Sequence, residues 1–315
     1  MKFLIYMLRI RRIEFRVAEI PILAIPALLL IRDISIVKTF VFWEGILVFF
    51  FLFAFGDMIN CLADRDLYAV YKPHLSEAVY GLGVKFVTFQ VIASAVIALA
   101  LAAHVSWQLD RWLLLPLVAV GVVLGAAYSV KPVQLKGRGL LQLFCLWMII
   151  FVGPMLFIGL LVSAVPSVTL MIFAAAYGAL QMGIILVNTA EDYPEDKNAG
   201  ITTTIVALGL NRGISLAMWL TVFGAIGVLV NLAVLFRRQM EHGWPLIALA
   251  LVAAASAFVI TGLVRLKRNI DRVDLGQSIK LVKKAGKLVP LWVTLVAWST
   301  LGAAAVLFYW GKGKG

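Results

Sequence analysis

Two segments of this chain repeat one arrangement of oxygen-bearing side chains. Asn60, Asp64 and Tyr68 stand at intervals of four, and so do Asn188, Asp192 and Asp196. Residues four apart on a helix share a face. Each segment therefore aims a short column of ligands at one point. Two facing columns can hold hard cations such as Mg2+, which take carboxylate and phosphate oxygens. Both columns lie where a long apolar run ends, and carboxylates at membrane depth are costly enough to mark function.

The second segment is the denser one. Asn188, Glu191, Asp192, Glu195 and Asp196 fall within nine residues. Pro194 sits between the two aspartates, and a proline is tolerated at a helix start but not in its interior. In the first segment Asp57, Asn60 and Asp64 fall on one helical face. Asp66 points elsewhere, toward Arg65 or Lys72. Lys72, His74, Lys131, Lys136, Arg138, Lys197 and Arg212 follow the apolar runs on the same side. Lys and Arg are the counter-charges that a diphosphate needs. The three histidines, His74, His104 and His242, are too scattered to build a His-based metal site.

The elements that carry these columns are membrane helices. The chain is 63% hydrophobic and only 14% charged, whereas a soluble domain has about a quarter of its residues charged. Nine apolar spans stand out: 17–31, 39–59, 84–104, 111–130, 140–163, 167–188, 214–236, 244–264 and 288–310. Most approach the roughly 20 residues that cross a bilayer. The first is short, and Pro21 and Pro26 should kink it. Strand-like alternation is lacking, which argues against a membrane β-barrel. The N-terminus shows no small-residue cleavage site after its short apolar run, so the first helix is expected to be retained.

Charge sets the expected orientation. Of the 28 Lys and Arg residues, 21 fall on the side that carries the N-terminus and both columns, against 7 on the other. Loops rich in Lys and Arg stay in the cytoplasm. The reading is an all-α polytopic protein of the cell membrane: nine transmembrane helices around a central cavity, with the N-terminus and active site facing the cytoplasm. Residues 1–315 form a single membrane domain, with a basic cytoplasmic segment at 1–16 and a disordered tail at 311–315. The columns follow spans 2 and 6, which implies pseudo-repeated four-helix units plus a ninth helix. The net charge of +12 reads as topology; no basic soluble module for nucleic acid is visible. Cys61 and Cys145 make no disulfide framework.

At these residues the chain resembles the UbiA superfamily of intramembrane prenyltransferases. That family's first signature is Asn-Asp-x2-Asp-x3-Asp, and its second is Asp-x3-Asp, commonly followed by Gly and Thr. The second is intact at Asp192 and Asp196, with Gly200 and Thr202 after it. The first keeps Asn60, Asp64 and Arg65 but has Cys61 and Tyr68 where the family has Asp. Tyr128 and Ser129, followed by Pro132, Lys136 and Arg138, look like the family's third conserved loop with a different Tyr-to-Lys spacing.

The resemblance implies an enzyme, a prenyltransferase that uses Mg2+. Its donor would be an isoprenyl diphosphate and its acceptor an apolar, usually aromatic, molecule in the bilayer. It further implies that Asn60, Asp64, Asp192 and Asp196 are the catalytic, metal-holding residues. Lys72, Lys131, Lys136, Arg138, Tyr128, Tyr68 and Lys197 would contact substrate. Asp57 or Asp66 could compensate for the missing carboxylates, and Tyr68 could stack over a carbocation. An intramembrane terpene cyclase on the same scaffold is the runner-up. A transporter fits less well, because transporter sites lie at the bilayer midplane. A catalytically inactive homologue is the remaining alternative raised by Tyr68.

Overall fold

The computed structural model describes residues 2–31, 33–165, 167–237 and 243–311. It is all-α: 88% of it is helical. In chain order the helices are α1 (Lys2–Ile10), α2 (Arg16–Leu30), α3 (Phe40–Ala63), α4 (Arg65–Tyr71), α5 (Pro73–Leu82), α6 (Val84–Leu109) and α7 (Leu114–Ser129). Then come α8 (Leu140–Leu146), a π-helical turn (Trp147–Val152) and α9 (Gly153–Val162), which run on as one span. They are followed by α10 (Val168–Glu191), α11 (Tyr193–Asn198), α12 (Thr204–Leu208), α13 (Leu210–Phe236), α14 (Gly243–Ile270), α15 (Leu275–Gly286) and α16 (Val289–Gly311).

Among the described residues, seven helices are long and apolar enough to cross a membrane. The other two expected spans are helical but short. Arg16–Leu30 has 15 residues and Leu114–Ser129 has 16, against the roughly 20 that a perpendicular crossing takes. Pro21 and Pro26 both lie inside α2. Residues 312–315 of the expected disordered tail, and His242, lie outside the described residues.

The contacts divide the chain into two units. Unit 1 comprises Met1–Val17, Asp33–Lys136 and Leu160–Val165. Its long helices α3 and α6 pack together. Glu44, buried in α3, is held by His104 Nδ1 of α6 at 3.1 Å, the partnering that a carboxylate at membrane depth requires. The basic N-terminal segment forms α1, which lies against α5. A side chain at Gly81 of α5 would collide with the Tyr6 ring of α1.

Unit 2 comprises Ala18–Arg32, Gly137–Gly159 and Pro166–Gly315. Its main contact is α10 against α13. A Cβ on Gly224 would stand 2.3 Å from the Leu180 backbone nitrogen, and one on Gly183 2.5 Å from the Ala217 carbonyl oxygen. Small residues let membrane helices approach this closely, where dispersion must replace the hydrophobic drive.

The two units use the same device to hold their motif. In unit 1, Thr39 caps a 24-residue helix by accepting from the Phe42 amide, and that helix ends at Asp64. In unit 2, Ser167 caps a 24-residue helix by accepting from the Leu170 amide, and that helix ends at Asp192. Thr39, Asp64 and Tyr68 thus recur as Ser167, Asp192 and Asp196 at one constant offset.

Candidate functional site

Each motif is built on a break between a long helix and a short one. Asp64 has φ −98° and ψ 7°, and Asp192 has φ −84° and ψ 6°. Neither is helical, yet each lets the chain restart at once. The Tyr68 amide donates to the Asp64 carbonyl at 2.8 Å, and the Asp196 amide donates to the Asp192 carbonyl at 2.8 Å. Pro194 sits in the first turn of α11, where its missing N–H costs nothing. The expected continuous column is therefore a hinged one in both places.

In unit 1 the side chains converge. The Asn60 amide donates to the Tyr68 hydroxyl at 3.0 Å. The Ser129 hydroxyl, at the end of α7, donates to Asn60 Oδ1 at 3.4 Å. Asp64 is buried and ion-paired with Lys136, which comes from the loop after α7 and is itself buried. Lys72 Nζ lies 5.8 Å from the centre of the buried Tyr68 ring. Ser129, Asn60, Tyr68 and Lys72 are thus linked by successive contacts, and Asp64 and Lys136 form a buried pair at the break between Asn60 and Tyr68. Lys131 sits on an exposed turn, next to a cis peptide bond to Pro132, and Tyr128 is half-buried.

Asp57, on the same helix as Asn60, is paired with Arg16. Arg16 Nη2 stands 2.5 Å from its Oδ2. Asp66 is exposed, accepts from the Tyr80 hydroxyl and lies 3.7 Å from Arg65. Both acids are thus engaged by other groups, and Cys61 is fully buried.

In unit 2, Asp192 and Asp196 are half-buried, while Asn188 is exposed. Their neighbours are tied to α15. Lys283 Nζ donates to Glu195 at 2.9 Å. That hydrogen bond, with the charges of Glu195, Glu191 and Asp192 behind it, holds the ammonium above the usual lysine pKa, against the opposing effect of partial burial. A Cβ on Gly286 would collide with the Glu191 carboxylate. Lys197 Nζ stands 5.8 Å from the Tyr193 ring.

The loop that follows is stitched to the start of α8. Arg138 forms a parallel bridge with Thr202, and the Gly139 amide donates to the Thr202 carbonyl at 2.8 Å. The Thr204 hydroxyl donates to the Gly139 carbonyl at 2.9 Å, and Gln142 Oε1 accepts from the Thr204 amide at 2.7 Å. Gly200, at φ +70°, makes the left-handed turn that brings this loop round.

Sequence reasoning did not single out Arg16, Lys283 or Gln142 for the site. Arg16 and Lys283 read as two more positive-inside cations. Only the fold puts them against carboxylates 41 and 88 positions away.

The sequence matches the UbiA prenyltransferase family over residues 20–274. The chain belongs to that family. The fold of this UbiA-family protein is also similar to solved structures at low identity. One is of digeranylgeranylglyceryl phosphate synthase in membranes: 16% identity, 97% of this chain and 100% of that chain, TM-score 0.66. Another is a UbiA homologue from Archaeoglobus fulgidus bound to GPP and Mg2+: 18% identity, 92% of this chain and 99% of that one, TM-score 0.62. The same homologue bound to DMAPP and Mg2+ aligns at 19% identity, 92% and 98% coverage, and TM-score 0.59. At these identities the likeness is one of fold. No curated protein matches the sequence.

Proposed function

We propose that this UbiA-family chain transfers an isoprenyl group from a prenyl diphosphate to an apolar, aromatic acceptor within the cell membrane. The observation that carries the reading is the pair Asp192 and Asp196. They are separated by one backbone turn and stitched in place through Gly200, Thr202 and Thr204. Mg2+ is commonly held by one or two carboxylates plus substrate phosphate, not by an all-protein cage. Among the described residues no three His, Cys, Asp or Glu side chains form such a cage. Asp192 and Asp196 supply that number, and the ion would be shared with a diphosphate. Family homologues are bound to Mg2+ with GPP or DMAPP, which supports the same donor class here.

When bound, Mg2+ supplies positive charge to the departing diphosphate. The chain's own residues do the rest. Lys136, Lys72, Lys131, Arg138 and Lys197 would be the cationic contacts to phosphate oxygens, and Tyr128, in the last turn of α7, would contact substrate. The allylic carbon–oxygen bond breaks and its electron pair leaves with the diphosphate. The resulting allylic cation is attacked by a ring carbon of the acceptor, which then loses a proton. Apolar helices exclude the water that would otherwise quench the cation. The 21-to-7 distribution of Lys and Arg supports a cytoplasmic active face.

The cyclase alternative draws no support from Tyr68. Its hydroxyl is engaged by Asn60 and Lys72 stands over its ring, which disfavours a second cation there. The deciding experiment gives purified protein geranylgeranyl diphosphate and Mg2+ with and without an aromatic acceptor such as a hydroxybenzoate or a quinol. Prenylated acceptor, with no cyclic hydrocarbon in its absence, is the expected result. Cyclic hydrocarbon without acceptor overturns transfer in favour of cyclisation.

A further inference from the structure

We infer that the Lys136 ammonium takes the place of a divalent ion at the first motif. The chain would then bind its diphosphate with metal at Asp192 and Asp196 alone. This rests on the proposed function, since it concerns how the same substrate is neutralised.

The residues at the first motif do not fit Mg2+. Only one carboxylate remains there. The positions where the family resemblance expects two more are Cys61, whose thiol is fully buried, and Tyr68, whose hydroxyl accepts from Asn60. The two nearby acids that could stand in are committed elsewhere: Asp57 faces Arg16, and Asp66 faces Tyr80 and Arg65. The remaining carboxylate, Asp64, is already neutralised. It pairs with Lys136, and the two are 8% and 6% exposed. A metal at Asp64 would have to share the one buried carboxylate with the Lys136 ammonium, two cations beside a single anion.

The charge count agrees. Replacing two aspartates by Cys61 and Tyr68 removes two negative charges, the charge of one Mg2+. Losing the carboxylates and the ion together leaves the net charge of the first motif unchanged. The arrangement is also competent to hold phosphate. An ammonium has three N–H donors and no acceptor, so Lys136 can keep Asp64 and still donate to a phosphate oxygen. Ser129 and Tyr68 hold Asn60 from two sides.

The second motif differs in its ligand types. Asp192 and Asp196 are both carboxylates, and the nearby lysine on α15, Lys283, pairs with Glu195.

The test counts metal and phosphorus bound to the full chain in lipid nanodiscs. Protein equilibrated with Mn2+ and geranyl thiolodiphosphate, a donor analogue that resists ionisation, is passed rapidly through a desalting column and assayed for both elements. One Mn2+ per bound diphosphate is expected, falling to none in Asp192→Ala. The double variant Cys61→Asp/Tyr68→Asp is expected to raise the ratio to two. Two Mn2+ per diphosphate in the unaltered chain overturns this inference and leaves the proposed function standing. No retained Mn2+ or analogue overturns the proposed function, and this inference with it. Because Lys136→Met alone leaves Asp64 buried and unpaired, the partner test uses Asp64→Asn/Lys136→Met. Its analogue binding should weaken at least tenfold with the ratio still one. Unchanged affinity overturns the role given to Lys136.

Discussion

The Asn60 amide and the Tyr68 hydroxyl meet at 3.0 Å across the break at Asp64. Tyr68 occupies the place that Asp196 occupies in the second motif, so a carboxylate of the second motif is a phenol in the first. An aspartate at 68 would be another anionic ligand. The tyrosine instead brings a neutral acceptor that fixes the orientation of Asn60 and an aromatic face that packs under Lys72. Tyr68→Phe removes the acceptor and keeps the ring. A buried hydrogen bond of this kind is worth about 1 kcal/mol. The variant should therefore melt a few degrees lower, with little change in helical content by circular dichroism. An unaltered Tm would mean that the Asn60 contact adds nothing to the fold.

Asp192 makes the sharper functional prediction. It terminates α10 and its carbonyl accepts from the Asp196 amide, so its backbone role survives a change of side chain. Asp192→Asn keeps size and hydrogen bonding and removes charge. Loss of preorganised charge stabilisation at a reacting centre costs about 100-fold or more in turnover. Donor turnover should fall by that order while Tm stays near that of the parent chain. Undiminished turnover would remove Asp192 from the site.

Much of this arrangement is legible in the amino-acid sequence alone. The spans are visible because roughly 20 apolar residues in a row have few other uses, and both motifs are visible because Asp64 and Asp192 interrupt that apolarity. The limits are equally specific. Hydropathy marks residues 17–31 and 111–130 as spans but does not weigh helix length, and the helices there have 15 and 16 residues. Helical periodicity puts Asp57 on the face of Asn60. It cannot see that the N-terminal segment returns Arg16 to within 2.5 Å of that carboxylate. Lys136 is visible as a cation but not as the partner of Asp64, because that pairing joins residues 72 positions apart.

Lys283 offers a pH-dependent prediction. Its folded pKa lies above the ordinary lysine value of 10.5, chiefly through the bond to Glu195. A raised lysine pKa stabilises the fold fully below the ordinary value, and the contribution disappears as pH rises through the folded one. The pair is partly exposed, so its worth is about 0.2–1 kcal/mol. Lys283→Met should lower Tm slightly and by the same amount from pH 6 to pH 9. The gap to the parent chain should close only above the ordinary lysine pKa. A gap that varies between pH 6 and 9 would point to a different titrating partner.

The packing of α10 on α13 can be tested with two glycines. A methyl group on Gly224 would fall 2.3 Å from the Leu180 nitrogen and 2.8 Å from the Ala176 carbonyl oxygen. Both obstacles are backbone, so relief requires the helices themselves to part. Overpacking of this sort costs about 1–3 kcal/mol. Gly302 lies inside α16 with nothing within 4 Å of the same added atom. There alanine meets no obstacle, and its better helix propensity is worth up to about 1 kcal/mol. Gly224→Ala should therefore lower Tm and accelerate irreversible loss of fold in detergent, while Gly302→Ala leaves Tm level or raises it. Equal effects at the two positions would mean that the close approach of α10 and α13 does not limit stability. The pair separates the cost of contact from the general cost of altering a membrane helix, because the chemical change is the same in both.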